Sequence, residues 1–285
     1  MSKQSILSDV LEQTPNRRAL LKKFGIATAA AGAAAATAGL KLNAQSSLPS
    51  AVDVLQFALN LEYLEAEFYT TATMGVTIDQ LGIGISSPGQ TAGPTTGWQQ
   101  VNFPNSLVYT LTVANQIGND ERNHVTLIRT ALQNAGVTPV AKPAINLAAL
   151  GMVTNELQFL TLARVFEDIG VSAYGGGADP TATQLAASPY IGVAARILAT
   201  EAEHVANIRL QVARLAVPST QLDGVDIIPP PSGSAFFSVD PTTGLTAVRT
   251  PGQVLYLAYG GAGLTAGGFF PNGVNGTINT SSAHA

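Results

Sequence analysis

Hydrophobic positions recur with a helical period in four long stretches of this chain. The first stretch opens at Ser50 and Asp53, whose spacing is that of a helix capping box. The four predicted helices span about residues 51–74, 104–135, 154–174 (with 146 as an alternative start) and 189–215. Four long amphipathic helices bury their apolar faces by packing into a four-helix bundle, so the pattern predicts an all-α fold for residues 45–216.

The segments between and after these helices have a different composition. Residues 75–103 are rich in Gly, Ser, Thr and Pro and are predicted to form a long loop. Three consecutive glycines, 175–177, are predicted to end the third helix. Residues 217–285 contain many turn signals and one short helical pattern near 251–259. We expect this tail to be an irregular extension that packs on the bundle.

The first 44 residues have the three-part pattern of an export signal. A basic start precedes an apolar, alanine-rich stretch, Phe24 to Leu40, and Leu42-Asn43-Ala44 is a suitable cleavage site. The run from Asn16 to Lys22, with Arg17 and Arg18, resembles a twin-arginine signal. The alternative is a membrane anchor, although three glycines interrupt a short apolar stretch. We therefore expect export through the twin-arginine machinery to a periplasmic or extracellular location.

Charge and composition exclude several classes of function. Without residues 1–44 the chain keeps eight basic and 16 acidic residues, a net charge of −8. Nucleic-acid binding needs basic patches, so an acidic mature chain argues against it. The absence of cysteine excludes disulfides, iron–sulfur clusters and thiolate zinc sites. No later stretch is long and apolar enough to be a stable membrane span.

Two of the three histidines occur in the same short pattern. Glu121 precedes His124 by three residues, and Glu201 precedes His204 by three residues, whereas His284 lies near the terminus. Residues three apart on a helix share one face, so each carboxylate and imidazole can bind the same metal ion. A single Glu-x-x-His pattern is usually a solvated face, but two in a chain so poor in histidine indicate a metal site.

The other two long helices each contribute a glutamate and a tyrosine at matching positions. Glu62 precedes Tyr69 by seven residues, and Glu167 precedes Tyr174 by seven, so each pair shares a helix face. A dinuclear carboxylate site in a bundle takes one Glu from each of two helices and a Glu-x-x-His pair from each of the others. The tyrosines are candidates to hydrogen-bond the carboxylates or to hold an oxidising equivalent, with ordinary core packing as the alternative. The predicted ligands are Glu62, Glu121, His124, Glu167, Glu201 and His204.

Other acidic residues compete with this assignment. Glu65 lies one turn after Glu62 and could face the same core, whereas Glu67 points away from Glu62. Glu62 is preferred because only it repeats the Glu–Tyr spacing of the third helix. Glu156 is expected to be a helix-start acid, with a position next to the ligands as the alternative. Asp168 and Glu203 are expected to lie on the surface or to contact the ligands from outside.

Four carboxylates neutralise two divalent cations, and one histidine per ion adds a softer ligand that suits iron or manganese, and also zinc. This constellation resembles the ferritin-like di-iron and di-manganese carboxylate superfamily. The runs 60–69, 167–174 and 267–273 resemble exported ferritin-like proteins related to plant desiccation-associated proteins. The resemblance implies an antiparallel bundle with one long crossover, here 136–150. The additional segments 75–103 and 217–285 argue against a storage shell and favour a monomer or small homo-oligomer.

Two functions follow as hypotheses. The first is a di-metal oxidoreductase that acts on dioxygen or peroxide, as a ferroxidase, peroxidase or catalase-like enzyme, in protection against stress. The second is a metal-binding or desiccation-protective structural protein without catalysis. A bundle without metal is disfavoured because four buried carboxylates repel one another and take up protons at substantial cost.

Overall fold

Nearly all of the regular structure is helical. The computed structural model describes residues 48–104, 108–217, 231 and 236–284, which belong to one compact unit, 47–285. The predicted export signal, 1–44, lies outside the described residues. The helices are α1 (Ala51–Met74), α2 (Val108–Asn134), α3 (Glu156–Gly177), α4 (Ile191–Arg214) and α5 (Pro251–Tyr259). Two-residue strands β1 (Thr95–Thr96) and β2 (Ile145–Asn146) and 3-10 turns at Ile78–Leu81 and Leu185–Ala187 complete the described elements. The all-α prediction is confirmed.

The helices α1 to α4 form an antiparallel bundle in which α1 packs on α2 and α3 packs on α4. Gln56 near the start of α1 donates to the carbonyl of Thr138 beyond the end of α2, and Thr70 near the end of α1 accepts from Arg122. These contacts show that α1 and α2 run in opposite directions. Helix α3 also runs opposite to α1, so α2 and α3 are parallel and a crossover along the bundle joins them.

The predicted loop 75–103 is more ordered than its composition indicated. It contains the 3-10 turn Ile78–Leu81 and strand β1, which pairs in parallel with β2 of the crossover. Fully buried Glu67 holds these segments together, accepting from the amide of Ile78 at 3.1 Å and the hydroxyl of Thr95 at 2.8 Å. Its third partner is the ammonium of Lys142 at 3.0 Å. As predicted, Glu67 points away from Glu62. Its carboxylate stabilises the fold by holding these segments together.

Helix α3 does not end at Tyr174 as predicted but continues through the three glycines to Gly177. The backbone of the tail approaches the helix closely at these glycines. A Cβ on Gly176 would overlap the carbonyl oxygen of Arg249, and the amide of Arg249 donates to the carbonyl of Ser172 at 2.9 Å. The glycines therefore make room for another backbone instead of terminating the helix.

The described part of the tail packs on the bundle and includes α5 at the position predicted from the sequence. Its apolar side chains join the main core, among them Val254, Leu255, Phe269, Phe270 and Val274. Asn60 in α1 exchanges two hydrogen bonds with the backbone of Asn275, at 2.8 and 2.9 Å. None of the described helices is long and apolar enough to cross a membrane.

Candidate metal centre

All six predicted ligands meet in the interior of the bundle. Glu62 comes from α1, Glu167 from α3, and the two Glu-x-x-His pairs from α2 and α4. Each of the six is at most 7% exposed. They form two overlapping groups whose ligand atoms lie within 4.8 Å of one another, and each group could hold a metal ion. The first group is Glu62, Glu121, His124 and Glu201, and the second is Glu121, Glu167, Glu201 and His204. Glu121 and Glu201 belong to both groups, which is the position of carboxylates that can bridge two ions.

The spacing around each imidazole is that of ligands around an ion. His124 Nδ1 lies 3.2 Å from a Glu62 oxygen and 3.3 Å from oxygens of both Glu121 and Glu201. One ring nitrogen carries at most one hydrogen, so it cannot donate to three oxygens at once. Atoms that each lie about 2.1 Å from one ion are roughly 3.0–3.4 Å apart, which matches these distances.

The hydrogen bonds within the cluster leave several buried atoms without partners. They are Glu62 Oε2, Glu121 Oε1, Glu167 Oε2, both oxygens of Glu201, and His204 Nδ1. A buried polar atom left without a hydrogen bond costs about 1–3 kcal/mol, and more when the group is charged. Carboxylate oxygens and imidazole nitrogens are common ligands of divalent metal ions, so this donor set could bind such ions.

The pKa values of the clustered carboxyl and imidazole groups are also consistent with a cation site. Burial raises the pKa of the Glu121 and Glu201 carboxyls, and the neighbouring carboxylates raise it further. Burial alone would lower the pKa of His204, but Glu167 and Glu121 reverse this and raise it to about 12. The pKa of His124 is raised in the same way by Glu62, Glu121 and Glu201. Without metal the cluster therefore retains protons, and bound cations would displace them.

The two tyrosines bond across the site rather than along their own helices. The hydroxyl of Tyr69 in α1 donates to Oε1 of Glu167 in α3, and Tyr174 in α3 donates to Oε1 of Glu62 in α1. Each bond occupies one carboxylate oxygen and leaves Oε2 of the same group directed at the histidines. Burial, and then the adjacent carboxylates, raises the pKa of both tyrosines, which keeps them protonated as donors.

Asp120 contributes to the site and was missed by the sequence analysis. Its carboxylate lies 3.3 Å from Nε2 of His204, while Nδ1 of that ring faces Glu121 and Glu167. A proton on Nε2 directed at Asp120 leaves the Nδ1 lone pair for a metal ion. No sequence signal identified Asp120, because it lies on α2 while its partner lies on α4.

Glu65 reaches the edge of the site without belonging to either ligand group. It is 5% exposed and forms no hydrogen bond with the described part of the chain. Burial raises its pKa well above the ordinary value, and repulsion by Glu201 and Glu121 adds to this. The structure thus places both candidate ligands of α1 in the interior. Glu62 lies among the ligand atoms, and Glu65 lies beside them.

The other acidic residues near the ligands lie outside both groups. Glu156 opens α3, as expected of a helix-start acid. Glu203 is exposed on α4. Asp168 is buried and ion-paired with Arg164 and Arg209. None of the three can replace a member of the cluster.

The bundle and its interior cluster agree with a comparison of the sequence to known families. The family model described as the ferritin-like domain matches residues 50–214, more than half of the chain. The chain belongs to the ferritin-like domain family. The match covers α1 to α4 and every residue of the cluster, whereas the tail with α5 lies beyond it. No curated protein matches this ferritin-like chain.

Proposed function

We propose that this ferritin-like protein holds two divalent iron or manganese ions in the bundle and carries out redox chemistry on dioxygen or peroxide. The observation that carries the proposal is the set of unpartnered buried atoms on Glu62, Glu121, Glu167, Glu201 and His204. Four carboxylates neutralise two divalent cations. The protein interior offers these carboxylates no Lys or Arg within ion-pair distance among the described residues.

The ligands divide into two terminal sets and one shared set. Glu62 and His124 would bind one ion, Glu167 and His204 the other, and Glu121 and Glu201 both. Tyr69 and Tyr174 orient the terminal carboxylates through Oε1, and Asp120 orients His204 through Nε2. Such a pair of ions supplies a redox centre and a template for an oxygen substrate.

Access for a substrate supports a reactive centre over a sealed one. A cavity of about 160 Å³ beside the bundle is lined in part by Glu65 and Gly170. Gly170 lies against Glu201: a Cβ on this glycine would be 2.9 Å from Oε2 of Glu201. The cavity therefore reaches the edge of the ligand cluster. Ferroxidase, peroxidase and catalase-like outcomes all use the same set of ligands.

The proposed location is the cell envelope or beyond, reached through the twin-arginine machinery. The Arg17–Arg18 pair within residues 1–44 supports this part of the proposal. Export of a folded chain would allow the ions to be loaded before transport. A role in protection against oxidative stress or drying follows from the resemblance to desiccation-associated proteins.

Metal content tests the centre directly. We expect elemental analysis of the protein, purified from its native host without chelator, to find about two Fe or Mn per chain, the number of sites in a dinuclear carboxylate centre. Glu201→Ala should lose metal, whereas Glu203→Ala, an exposed glutamate two residues away, should keep it. Retention of both ions by Glu201→Ala would contradict the assignment of ligands.

A second candidate function is metal binding without turnover. The observation that favours it is the depth of the ligands, since His124 and His204 are only 7% and 6% exposed. The metal-loaded protein is therefore to be assayed with Fe(II) and dioxygen, and with hydrogen peroxide. Turnover that disappears in Glu201→Ala supports the enzyme, and stoichiometric metal without turnover supports the binding protein.

A further inference from the structure

We propose that the cavity beside the metal cluster binds a small neutral molecule with an apolar ring and one hydroxyl group, such as a phenol. This site goes beyond the proposed oxygen chemistry, and its occupancy can be measured whether or not the protein turns over. Glu65 would accept the hydrogen bond from the hydroxyl, and the walls would enclose the ring.

The walls of the cavity are almost entirely apolar. They come from α1, α3 and the tail, with Leu64, Phe166, Ile169, Leu257, Ala258 and Phe269 among the lining residues. The tail lies outside the matched family domain, so this chain builds one wall of the cavity from its own extension. An apolar lining of this kind favours a hydrocarbon body over a polar or charged one.

Among the described residues, Glu65 is the single acidic group of the cavity lining. Glu65 lines the cavity, is 95% buried, and has no hydrogen-bond partner in the described part of the chain. Gly170 lies next to it, and a Cβ at Gly170 would approach Oε1 of Glu65 to 3.3 Å. The glycine keeps the space above the carboxylate open. A carboxyl group that lines an apolar cavity without a hydrogen bond is satisfied by a ligand that brings its own hydrogen-bonding group.

Charge selects the kind of polar group that can bind. Four carboxylates of the cluster balance the two proposed cations, and Glu65 is a fifth carboxyl group close to them. A ligand carboxylate would lose its hydration in a cavity whose described lining contains no cation, whereas a hydroxyl forms a hydrogen bond with Glu65 without burying a charge. The site should therefore accept phenols and ring alcohols and reject acids of the same size.

Size sets the upper limit of the ligand. The cavity volume of about 160 Å³ is close to that of an engineered cavity of about 150 Å³ that binds benzene. A single six-membered ring with one substituent fits this volume. The ligand class is therefore a monocyclic alcohol or phenol.

Calorimetric titration of the metal-loaded protein with phenol, toluene and benzoate tests the inference. We expect phenol to bind at least tenfold more tightly than benzoate, because benzoate would bury its charge in an apolar cavity without a cation among its described lining residues. Glu65→Leu should remove the preference of phenol over toluene. Benzoate binding as tight as phenol binding would overturn the selection of a neutral ligand, even if the protein contains two metal ions and turns over.

A second pair of variants tests the location. Leu257→Trp adds a ring to the tail wall and should abolish phenol binding with the metal content unchanged, because Leu257 lies on α5 away from the ligands. Leu210→Trp, an exposed leucine on α4 that does not line the cavity, is the matched control. Ile169→Phe fills the cavity from the α3 wall and should act as Leu257→Trp does. Unchanged phenol affinity in both cavity variants would contradict the site; loss of metal with phenol binding intact would contradict only the proposed centre.

Discussion

Glu167 and Asp168 are neighbours on α3, both are at most 1% exposed, and their surroundings are opposite. Asp168 faces two arginines, with Arg209 at 2.8 Å and Arg164 at 3.4 Å. Glu167 faces carboxylates and His204, and no Arg or Lys of the described residues lies within ion-pair distance of it. One helix thus places adjacent acids into two interior clusters, one with cations from the chain and one without.

This difference distinguishes a carboxylate that the fold neutralises with its own Arg or Lys from a carboxylate that could bind a metal ion. A buried carboxylate is stable when the fold supplies its cation, as it does for Asp168 and for Glu67 with Lys142. The acids around Glu167 share only two imidazoles, too few to neutralise them. The fold supplies Arg or Lys to Asp168 and Glu67 but not to the carboxylates around Glu167, which supports the proposal that this cluster takes its cations from outside.

Removing the metal ions should have the largest effect on stability. It also distinguishes the two clusters, because only the cluster around Glu167 is expected to bind metal. An ion at 100 times its dissociation constant stabilises by about 2.7 kcal/mol, so two such ions contribute about 5 kcal/mol. For a chain of this size we expect chelation to lower the melting temperature by roughly 10–20 °C, measured by scanning calorimetry. The Glu121→Ala/His204→Ala double variant is the control and should not respond to chelator. A wild-type melting temperature that chelation leaves unchanged would contradict a cation in the cluster.

Removing an arginine from the cluster of Asp168, Arg164 and Arg209 should cause the next largest loss of stability. It should leave the metal content unchanged. Arg209→Met leaves Asp168 with Arg164 alone in the interior, and loss of one partner of a buried pair costs about 3–5 kcal/mol. Urea unfolding would measure the loss, and elemental analysis should find the metal content of the wild type. Arg214→Met, at the exposed end of the same helix, is the matched control and should unfold like the wild type. Loss of metal in Arg209→Met would show that the two clusters are not independent.

The long helices and the cluster were accessible from sequence because both depend on periodicity. Glu62, Glu121 and Glu201 share an interior because helical spacing puts each on the apolar face of its helix, and a bundle turns these faces inward. The seven-residue Glu–Tyr spacing identified Tyr69 and Tyr174 beside the carboxylates. It did not indicate that each tyrosine bonds to the glutamate of the other helix, which depends on how α1 and α3 align.

Features that depend on contacts between distant segments could not be predicted from the sequence. Gly176 has the sequence context of a helix end, but its lack of a Cβ is what admits the backbone of Arg249. The loop 75–103 has a loop's composition, yet Glu67 and β2 hold part of it in order. Asp120 and the cavity at Glu65 likewise depend on packing between elements far apart in sequence. Local pattern cannot encode which surface of another segment a side chain will meet.

Raising the pH should widen the difference in stability between metal-loaded and metal-free protein. Glu121 has a pKa above its ordinary 4.5 when folded, and His204 has one of about 12 against 6.5. The folded metal-free chain therefore holds protons that the unfolded chain releases, and this stabilisation is lost as the pH rises above about 4.5. Metal binding needs the deprotonated ligands, so its contribution grows over the same range. One net proton corresponds to about 1.4 kcal/mol per pH unit, or about 3 kcal/mol between about pH 6 and pH 8.

Melting of both forms at a series of pH values would measure this effect. The expected result is a difference in melting temperature that increases steadily with pH. The Glu121→Ala/His204→Ala variant should show no difference at any pH. A difference that narrows as the pH rises would contradict proton displacement from the cluster.

The smallest expected effect comes from the hydrogen bonds across the site. Tyr69→Phe removes the donor to Glu167 Oε1 but keeps the ring, which packs between Phe68 and Phe159. Loss of a group that orients a ligand typically weakens metal binding about 10–100-fold, which corresponds to roughly 1.4–2.7 kcal/mol. Competition with a chelator of known affinity would measure it. Tyr63→Phe makes the same change on the same helix, where the hydroxyl bonds to the Val140 carbonyl, and should leave metal affinity unchanged. Equal losses in both variants would mean that the hydroxyls act on the bundle as a whole. A loss confined to Tyr69→Phe would show that α1 tunes the ligand supplied by α3.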